Sequence, residues 1–252
     1  MCPKMWSNKY VDKLDSDVEG ASLSFGSAID AAVGAMLEGK ANWLQVFYDN
    51  WKSQYVFGQV KQVFDNPAIG YGHKDLDFDF LEPKDYVELE TWAKQLNLIP
   101  QANIVTNEQL VDLFKGISKD KSNPYKGINA DQLKFFSRAS WLGLKRKGKI
   151  MLNSFHTQFY PKIKKVHAVQ KKVDLVDPNS KDSITGFVDM VIEIDGYNKP
   201  IIFDLKTSSM PYDQHKLQVS PQLTLYTAMA AQQFGTDLVG YVVLNKNIAK
   251  TE

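Results

Sequence analysis

Two aspartates and a lysine stand on two consecutive predicted strands, at a spacing that could bring their side chains together. Asp189 lies in the strand-like run Ile184–Ile194, and Asp204 and Lys206 stand two residues apart in the next run, Ile201–Lys206. Residues two apart in a strand share a face, so the side chains of Asp204 and Lys206 are expected on one side of the sheet. An ammonium placed there can orient a water molecule and offset the charge on a phosphoryl group.

The turn between these two strands decides how close the aspartates come. A four-residue loop Asp195–Asn198 places Asp189 opposite Asp204, whereas a two-residue loop Asp195-Gly196 leaves them diagonal neighbours on the same face. Side chains in these relations are about 5 Å and about 7–8 Å apart. Carboxylates this close repel unless one is protonated or a cation lies between them, and their oxygens are hard ligands of the kind that Mg²⁺ or Mn²⁺ prefers.

Another interpretation of the same residues stays open. Asp189 and Asp204 could be polar residues on the solvent-exposed side of a half-buried hairpin, and isolated Asp-x-Lys triplets are common. The hairpin residues alone do not decide between a metal site and a polar face.

The elements that must position these side chains change character near the middle of the chain. Apolar residues at helical spacing predict a mainly helical first half, with a helix break at Gly148. Short β-branched runs divided by turn formers then predict strands, and Ser220 and Gly235 bound one further helix. The predicted helices are Ser27–Leu37, Ala41–Trp51, Lys84–Leu96, Asn107–Lys115, Asn129–Lys147 and Ile150–Phe159, and the predicted strands are Val166–Val176, Ile184–Ile194, Pro200–Leu205 and Leu238–Leu244. This order predicts an α/β (mixed α+β) fold with a central mixed sheet flanked by helices.

Charge is unevenly distributed although the chain of 252 residues has a formal net charge of only +1. No acidic residue stands between Asp131 and Asp174, a stretch rich in lysine. Such segregation can form a positive track for a polyanion, although a lysine-rich solvated surface has the same composition. The candidate DNA-binding residues of this stretch are Lys145, Arg146, Lys147, Lys149, Lys164 and Lys165.

Cysteine content and hydropathy bound the class of protein. Cys2 is the single cysteine, which excludes an intrachain disulfide and a four-cysteine iron–sulfur cluster within one chain. No apolar run approaches the ~20 residues needed to span a membrane, and the N-terminal residues lack the apolar region of a signal peptide. The expected location is therefore the cytoplasm, which is the host cytoplasm if the protein is phage-encoded.

A set of motifs in the second half resembles the nuclease core of the RecB-like branch of the PD-(D/E)XK superfamily. Gly186 and Asp189 match its Gly-x-x-Asp strand, and Asp204 to Thr207 match its Asp-x-Lys-Thr strand. Gln222 and Tyr226 match a following helix with Gln-x-x-x-Tyr, and their four-residue spacing puts both on one helical face. Core packing is an equally good interpretation of Tyr226.

The N-terminal residues extend the resemblance. Cys2-Pro3-Lys4-Met5-Trp6 is similar to the opening segment of the family, and Phe25–Asp30 is similar to its Gly-x-x-x-His helix. Asp30 stands where family members commonly place a metal-binding histidine. Some members hold an iron–sulfur cluster that begins at this first cysteine, and a chain with Cys2 alone is expected to lack it.

The resemblance implies a restriction-endonuclease-like core and a metal-dependent deoxyribonuclease, exonuclease-like and active in recombination, repair or phage DNA processing. It implies one nuclease domain over 1–252, with a helical insertion at 41–147 and a catalytic core at 148–245. The implied substrate is single- or double-stranded DNA, and the implied ligands of Mg²⁺ or Mn²⁺ are Asp30, Asp189, Asp204 and the Leu205 backbone carbonyl. Lys206 would act in catalysis, and Gln222, Tyr226 and Thr207 would support the site.

Two other functions remain open at this stage. The chain could be a catalytically inactive nuclease-fold module that binds DNA or an unknown partner protein, or a metal-dependent phosphodiesterase that acts on RNA. Intact Asp189, Asp204 and Lys206 favour the nuclease, because a binding module does not need two crowded carboxylates.

Overall fold

The computed structural model describes residues 21–65, 81–101, 105–115, 129–177, 179–180, 182–210 and 212–247. The opening segment Cys2–Trp6 lies outside these residues. Within the described ranges, the helices before the sheet are α1 (Ala21–Leu37), α2 (Trp43–Asn50), α3 (Ser53–Asp65), α4 (Pro83–Gln95), α5 (Asn107–Lys115) and α6 (Ala130–Ser154). The remaining elements are a π-helical turn (Phe155–Phe159), a 3₁₀ turn (Tyr160–Lys162), β1 (Ile163–Val176), β2 (Ser183–Ile194), β3 (Ile201–Ser208), α7 (Gln214–Gln218), α8 (Pro221–Phe234) and β4 (Val239–Asn245).

The chain divides into two compact units. One comprises Met1–Ser24 and Lys52–Leu144, and the other comprises Phe25–Trp51 and Lys145–Glu252. The insertion expected at 41–147 and the core expected at 148–245 stay a prediction. Within the described residues, every helix is too short or too polar to cross a membrane.

The described part of the first unit is helical. Helix α4 begins with a capping box, in which the side chain of Asp85 accepts the N–H of Glu82 at 2.8 Å. Helix α5 has a capping box of the same kind, with Thr106 as the capping residue. The Thr106 hydroxyl accepts the N–H of Gln109, and the Gln109 side chain accepts the N–H of Thr106. Arg138 on α6 forms an ion pair with Glu88 on α4.

The second unit contains a four-stranded sheet in the order β1-β2-β3-β4. β1–β2 and β2–β3 are antiparallel, and β3–β4 is parallel. Helix α8 connects the two parallel strands: the Ser220 Oγ accepts the Leu223 N–H at 3.2 Å, Pro221 is the first helical residue, and Gly235 ends the helix in the left-handed region at φ 63°. The predicted mixed sheet flanked by helices is therefore confirmed.

One face of the sheet packs against α8. Leu223, Tyr226 and Met229 of the helix join buried residues of three strands in one apolar cluster. The strand members of this cluster are Val173, Val188, Val191 and Ile202.

The predicted helix break at Gly148 is wrong. Helix α6 continues through this residue to Ser154. A Cβ atom added at Gly148 would lie 2.2 Å from the Cζ of Phe47, a buried residue of α2. Glycine at this position therefore makes room for an aromatic ring, and its cost of about 1 kcal/mol relative to alanine does not stop the helix.

Candidate active site

The pairing of β2 with β3 sets the distance between the two strand aspartates. Met190 pairs with Phe203, Val191 with Ile202, and Ile192 with Ile201. This register is the one predicted from a four-residue turn, and Gly196 supplies the turn with a positive φ of 87°. The two-residue alternative is excluded.

The β2–β3 ladder ends one position before the aspartates. Beyond the Met190–Phe203 pair, the Oδ2 of Asp189 accepts the N–H of Leu205 at 2.6 Å. At this position a side chain of β2, rather than its backbone, is therefore hydrogen-bonded to β3. This bond fixes the Asp189 side chain against the strand that carries Asp204 and Lys206.

Asp204 is a buried carboxylate with two different oxygen environments. The residue is 3% exposed, and its Oδ1 accepts a hydrogen bond from Gln222 Nε2 at 2.6 Å. The Oδ2 lies 2.5 Å from the Nζ of Lys206 in an ion pair, but it has no hydrogen-bond partner of good geometry among the described residues. An oxygen in this position is available to a further positive ligand.

Gln222 and Tyr226 link the site to the core. Gln222 Nε2 also donates to the Tyr226 hydroxyl at 3.0 Å, and that hydroxyl donates to the carbonyl oxygen of Phe187 at 2.6 Å. Tyr226 is buried in the α8 cluster, and burial raises its pKa to about 12, so the phenol stays protonated as a donor. The helix thereby holds both Asp204 and the strand that carries Asp189.

The Lys206 ammonium stays charged beside the carboxylates. Burial alone would lower the pKa of Lys206, but its close ion-pair contact with the Asp204 carboxylate and the charge of Asp189 outweigh this effect and raise the pKa. The Nζ also lies 5.6 Å from the ring centroid of Tyr241. A permanent cation at this place can stabilise negative charge that develops nearby.

Asp30 on α1 is electrostatically coupled to the strand carboxylates. Its Oδ2 accepts a hydrogen bond from Gln170 Nε2 at 2.7 Å. Burial raises the pKa of Asp30 and the charge of Asp204 adds to the rise, while the Gln170 bond and the Lys206 charge oppose it. Burial, followed by the charges of Asp204 and Asp30, raises the pKa of Asp189 to about 7 against the opposing Leu205 hydrogen bond. The structure thus brings the three aspartates of the sequence prediction into one electrostatic neighbourhood.

The remaining supporting residues lie on β3. Leu205 is buried and presents its N–H to Asp189. Thr207 lies where α1 approaches the sheet, since a Cβ atom added at Gly26 would be 3.6 Å from its Oγ1.

The predicted basic residues differ in exposure. Lys164 and Lys165 at the start of β1 are exposed, and Lys164 forms a surface ion pair with Asp195 at 3.1 Å. Lys145, Arg146 and Lys149 are partly exposed, and the Nζ of Lys145 lies 4.6 Å from the ring centroid of Tyr48. Lys147 is only 3% exposed. Its side chain is therefore not on a surface that a polyanion could reach.

The donor chemistry of the site fits a hard divalent cation. Asp189 and Asp204 supply carboxylate oxygens on adjacent strands, and the Oδ2 of Asp204 lacks a hydrogen-bond partner among the described residues. Within the same described residues, no group of three or more His, Cys, Asp or Glu side chains lies close enough to form a ready-made metal cluster. Mg²⁺ commonly binds through one or two carboxylates and keeps several water molecules, so a three-carboxylate cluster is not required.

Comparison with known proteins identifies the family. The model of the PD-(D/E)XK nuclease superfamily matches residues 101–250, which include Asp189, Asp204 and Lys206. The chain belongs to this superfamily. No curated protein and no solved structure matches it.

Sequence reasoning missed the contact between Gln170 and Asp30. These residues are 140 positions apart, and the stretch around Gln170 reads as an ordinary strand. Local periodicity contains no signal for a contact of this kind.

Proposed function

We propose that this protein is a metal-dependent nuclease that hydrolyses phosphodiester bonds of DNA. The observation that carries the proposal is the buried Asp204 carboxylate, whose Oδ2 has the Lys206 ammonium at 2.5 Å and no hydrogen-bond partner among the described residues. Asp189 lies on the adjacent strand, with its carboxylate against the backbone of Leu205. Membership of the nuclease superfamily supports hydrolysis as the chemistry of this arrangement.

In this proposal, Asp189, Asp204, the Leu205 backbone carbonyl and Asp30 hold Mg²⁺ or Mn²⁺. When bound, such a cation lowers the pKa of a water molecule and polarises the scissile phosphate. Burial is the main cause of the raised pKa values of Asp189 and Asp30, and the neighbouring carboxylates add to it. A bound cation would offset the cost of charge at such positions, which supports this assignment.

Lys206 orients the attacking water and stabilises the charge that develops on the phosphoryl oxygens. Its ammonium is already held beside Asp204, so little reorganisation accompanies the reaction. Gln222 and Tyr226 hold Asp204 and β2 in position. Thr207 supports the junction of β3 with α1.

Exposed cations of the basic stretch provide the contact with DNA phosphates. Lys164 and Lys165 are the candidates with the greatest exposure, and Lys145, Arg146 and Lys149 contribute from partly exposed positions. We further propose a RecB-like, exonuclease-like enzyme of DNA recombination, repair or phage DNA processing, acting in the cytoplasm. The ordered motifs at Gly186–Asp189, Asp204–Thr207, Gln222 and Tyr226 support that branch.

The decisive experiment is incubation of labelled single-stranded DNA, double-stranded DNA and RNA with the protein in Mg²⁺, Mn²⁺ or EDTA. We expect cleavage of DNA with either metal and none in EDTA. Asp189→Asn and Asp204→Asn should be inactive. Asp237→Asn, which changes an exposed aspartate in a surface ion pair, is the matched control and should be active.

Three results would contradict the proposal. Binding of DNA without cleavage would identify an inactive nuclease-fold module, and cleavage confined to RNA would identify a ribonuclease. Cleavage that persists in Asp189→Asn and Asp204→Asn would place the active site elsewhere.

A further inference from the structure

Gln170 adopts a backbone conformation that is unusual for a residue within a strand. Its φ is 44°, in the left-handed region that favours glycine. Asn97 is the other non-glycine residue with a positive φ among those described, and it lies just after a helix rather than in a strand. Strained backbone of this kind persists where the surrounding structure holds it, and such positions cluster at functional sites.

Gln170, the residue with this strained backbone, lies directly opposite Asp189 on the neighbouring strand. Val169 pairs with Met190 and Lys171 pairs with Val188, so Gln170 and Asp189 face each other between these two pairs. Side chains of a regular strand alternate between the two faces, so residues an odd number apart point to opposite sides.

Both strands break this alternation in the segments that contain Gln170 and Asp189. Val188 and Val191 of β2 are three residues apart, yet both belong to the α8 cluster. Ala168 and Val173 of β1 are five residues apart, and both pack in that cluster as well. The β1–β2 ribbon therefore changes face within these two intervals, which contain Asp189 and Gln170, while the one-to-one register between Val169–Met190 and Lys171–Val188 is kept.

The side chain of Gln170 reaches α1. Its Nε2 donates to the Oδ2 of Asp30 at 2.7 Å. The helix comes close at Gly34, where an added Cβ atom would lie 3.5 Å from the Gln170 side-chain amide. The amide is thus held between the strained position of β1 and the closely approaching helix α1.

We propose that Gln170 is a positioning residue that holds the Asp30 carboxylate toward Asp189 and Asp204. The inference rests on the proposed function, because Asp30 is a ligand of the cation in that function. A neutral amide suits this role, since it donates to one carboxylate oxygen and leaves the negative charge uncompensated for a cation. A lysine at position 170, like the Lys171 and Lys172 that follow it, would neutralise the charge of Asp30 instead.

Two variants distinguish the effect of the Gln170 side-chain amide from the effect of its strained backbone. Gln170→Met keeps a long side chain and removes the amide, and Gln170→Gly removes the amide but relieves the positive φ. Second-sphere partners of metal ligands commonly change metal affinity by 10–100-fold, so we expect the Mg²⁺ concentration for half-maximal cleavage to rise about 10-fold or more in both variants. The Mg²⁺-dependent rise in melting temperature should shrink correspondingly at a fixed Mg²⁺ concentration.

The melting temperature in EDTA distinguishes positioning from structure. We expect Gln170→Gly to melt at or above the wild-type temperature in EDTA and still to respond weakly to Mg²⁺. Asn97→Gly relieves the other positive φ and is the matched control, with an unchanged Mg²⁺ response. In an Asp30→Asn background, the Gln170 substitutions should have little additional effect on Mg²⁺ half-saturation, because the residue acts through Asp30.

Each outcome bears on the inference. A wild-type Mg²⁺ response in Gln170→Met and Gln170→Gly would overturn the positioning role while leaving the nuclease intact. A full effect of the Gln170 substitutions in the Asp30→Asn background would overturn it too. Wild-type protein with neither cleavage nor a Mg²⁺-dependent melting shift would overturn this inference and the proposed function together.

Discussion

The Lys206 ammonium and the Asp204 Oδ2 lie 2.5 Å apart where Asp204 is almost fully buried. Removing one partner of a buried ion pair leaves an uncompensated charge, which is more costly than the pair is stabilising. Lys206 is about one-third exposed, so solvent reduces that cost. Lys206 therefore has a structural role for Asp204 in addition to its proposed role in catalysis.

Lys206→Met should abolish cleavage at saturating Mg²⁺ while DNA binding remains. The substitution keeps the apolar stem and removes the charge, and we expect it to destabilise the fold by about 1–3 kcal/mol. Urea denaturation and a single-turnover cleavage assay measure the two effects. Lys199→Met removes an exposed partner of Asp237 and should change neither, whereas wild-type turnover by Lys206→Met would remove Lys206 from the mechanism.

The protonation of Asp189 predicts how the stability of the metal-free protein depends on pH. Its pKa is raised from a usual value of 3.8 to about 7, chiefly by burial, so between these values the folded state binds more protons than the unfolded state. The free energy of unfolding should therefore fall as the pH rises from about 4 to about 7, and this group should contribute no further change above that range.

Urea denaturation in EDTA at several pH values between about 5 and 8 tests this dependence. Asp189→Asn should show a flatter profile, because it removes the group that titrates. The raised pKa of Asp30 adds a contribution of the same sign, so the profile should flatten without vanishing. An identical fall in stability in wild type and Asp189→Asn would contradict the assignment.

At the residue scale, the sequence predicts the hairpin part of the site better than the helical part. The turn Asp195–Asn198 determines the register of Asp189 against Asp204, because side-chain alternation and loop length together leave few pairings. The positive φ of Gln170 and its bond to Asp30 depend on contacts with α1. No local propensity of a glutamine among lysines and valines indicates such a conformation.

The basic stretch lies on helix α6 and strand β1, and the packing of these elements determines which of its residues are exposed. Lys164 and Lys165 are exposed on β1, whereas Lys147 on α6 is buried. Alternation along a strand and periodicity along a helix determine exposure only once it is known which face is covered. The sequence therefore shows that the stretch is basic, but it does not predict which of its residues are exposed to solvent.

Replacing Lys164 and Lys165 together by Gln should weaken DNA binding. If both contact phosphates, the slope of log affinity against log salt should fall by about two, since each lost contact lowers it by about one. Fluorescence anisotropy with labelled DNA at several salt concentrations measures the slope. Lys84→Gln, a highly exposed lysine of α4, is the control, and an unchanged slope in the double variant would identify these lysines as a solvated surface.

Helix α6 shows why the prediction of elements failed at one place. Gly148 is a poor helix former, and the sequence around it predicts a break. The ring of Phe47, about 100 residues earlier in the chain, occupies the space of a side chain at that position. Packing between distant segments overrides local propensity there.

At the scale of the whole molecule, binding of a cation should appear as added stability. A ligand that binds the folded state alone raises the melting temperature by mass action, so Mg²⁺ or Mn²⁺ should stabilise the wild-type protein. Asp30→Asn should weaken that shift, and Asp30→His should move the preference toward Mn²⁺. Differential scanning fluorimetry across metal concentrations, beside a cleavage assay, gives the comparison. If Asp30→Asn matches the wild type in both, the site has only two carboxylates.

The family match and the compact units have different extents. The match covers residues 101–250, whereas the unit that contains the sheet also includes Phe25–Trp51. In that segment, Phe25 packs against Phe47 and Trp51, with ring centroids 6.1 and 5.3 Å apart. Asp30 belongs to this segment, so the matched residues alone contain the hairpin of the proposed site without Asp30, its proposed helical ligand.

The hydrogen bond between Gln170 and Asp30 also has a consequence for the order of folding. It joins residues 140 positions apart, whereas β2 and β3 meet across a four-residue turn. Hairpins form in about 1–10 μs, while contacts of large sequence separation require closure of a long loop and come later. We therefore expect a nascent chain to assemble the Asp189–Asp204–Lys206 hairpin first and to bring Asp30 to it last. If Asp30 binds the cation as proposed, the complete metal site would then form only at the end of folding.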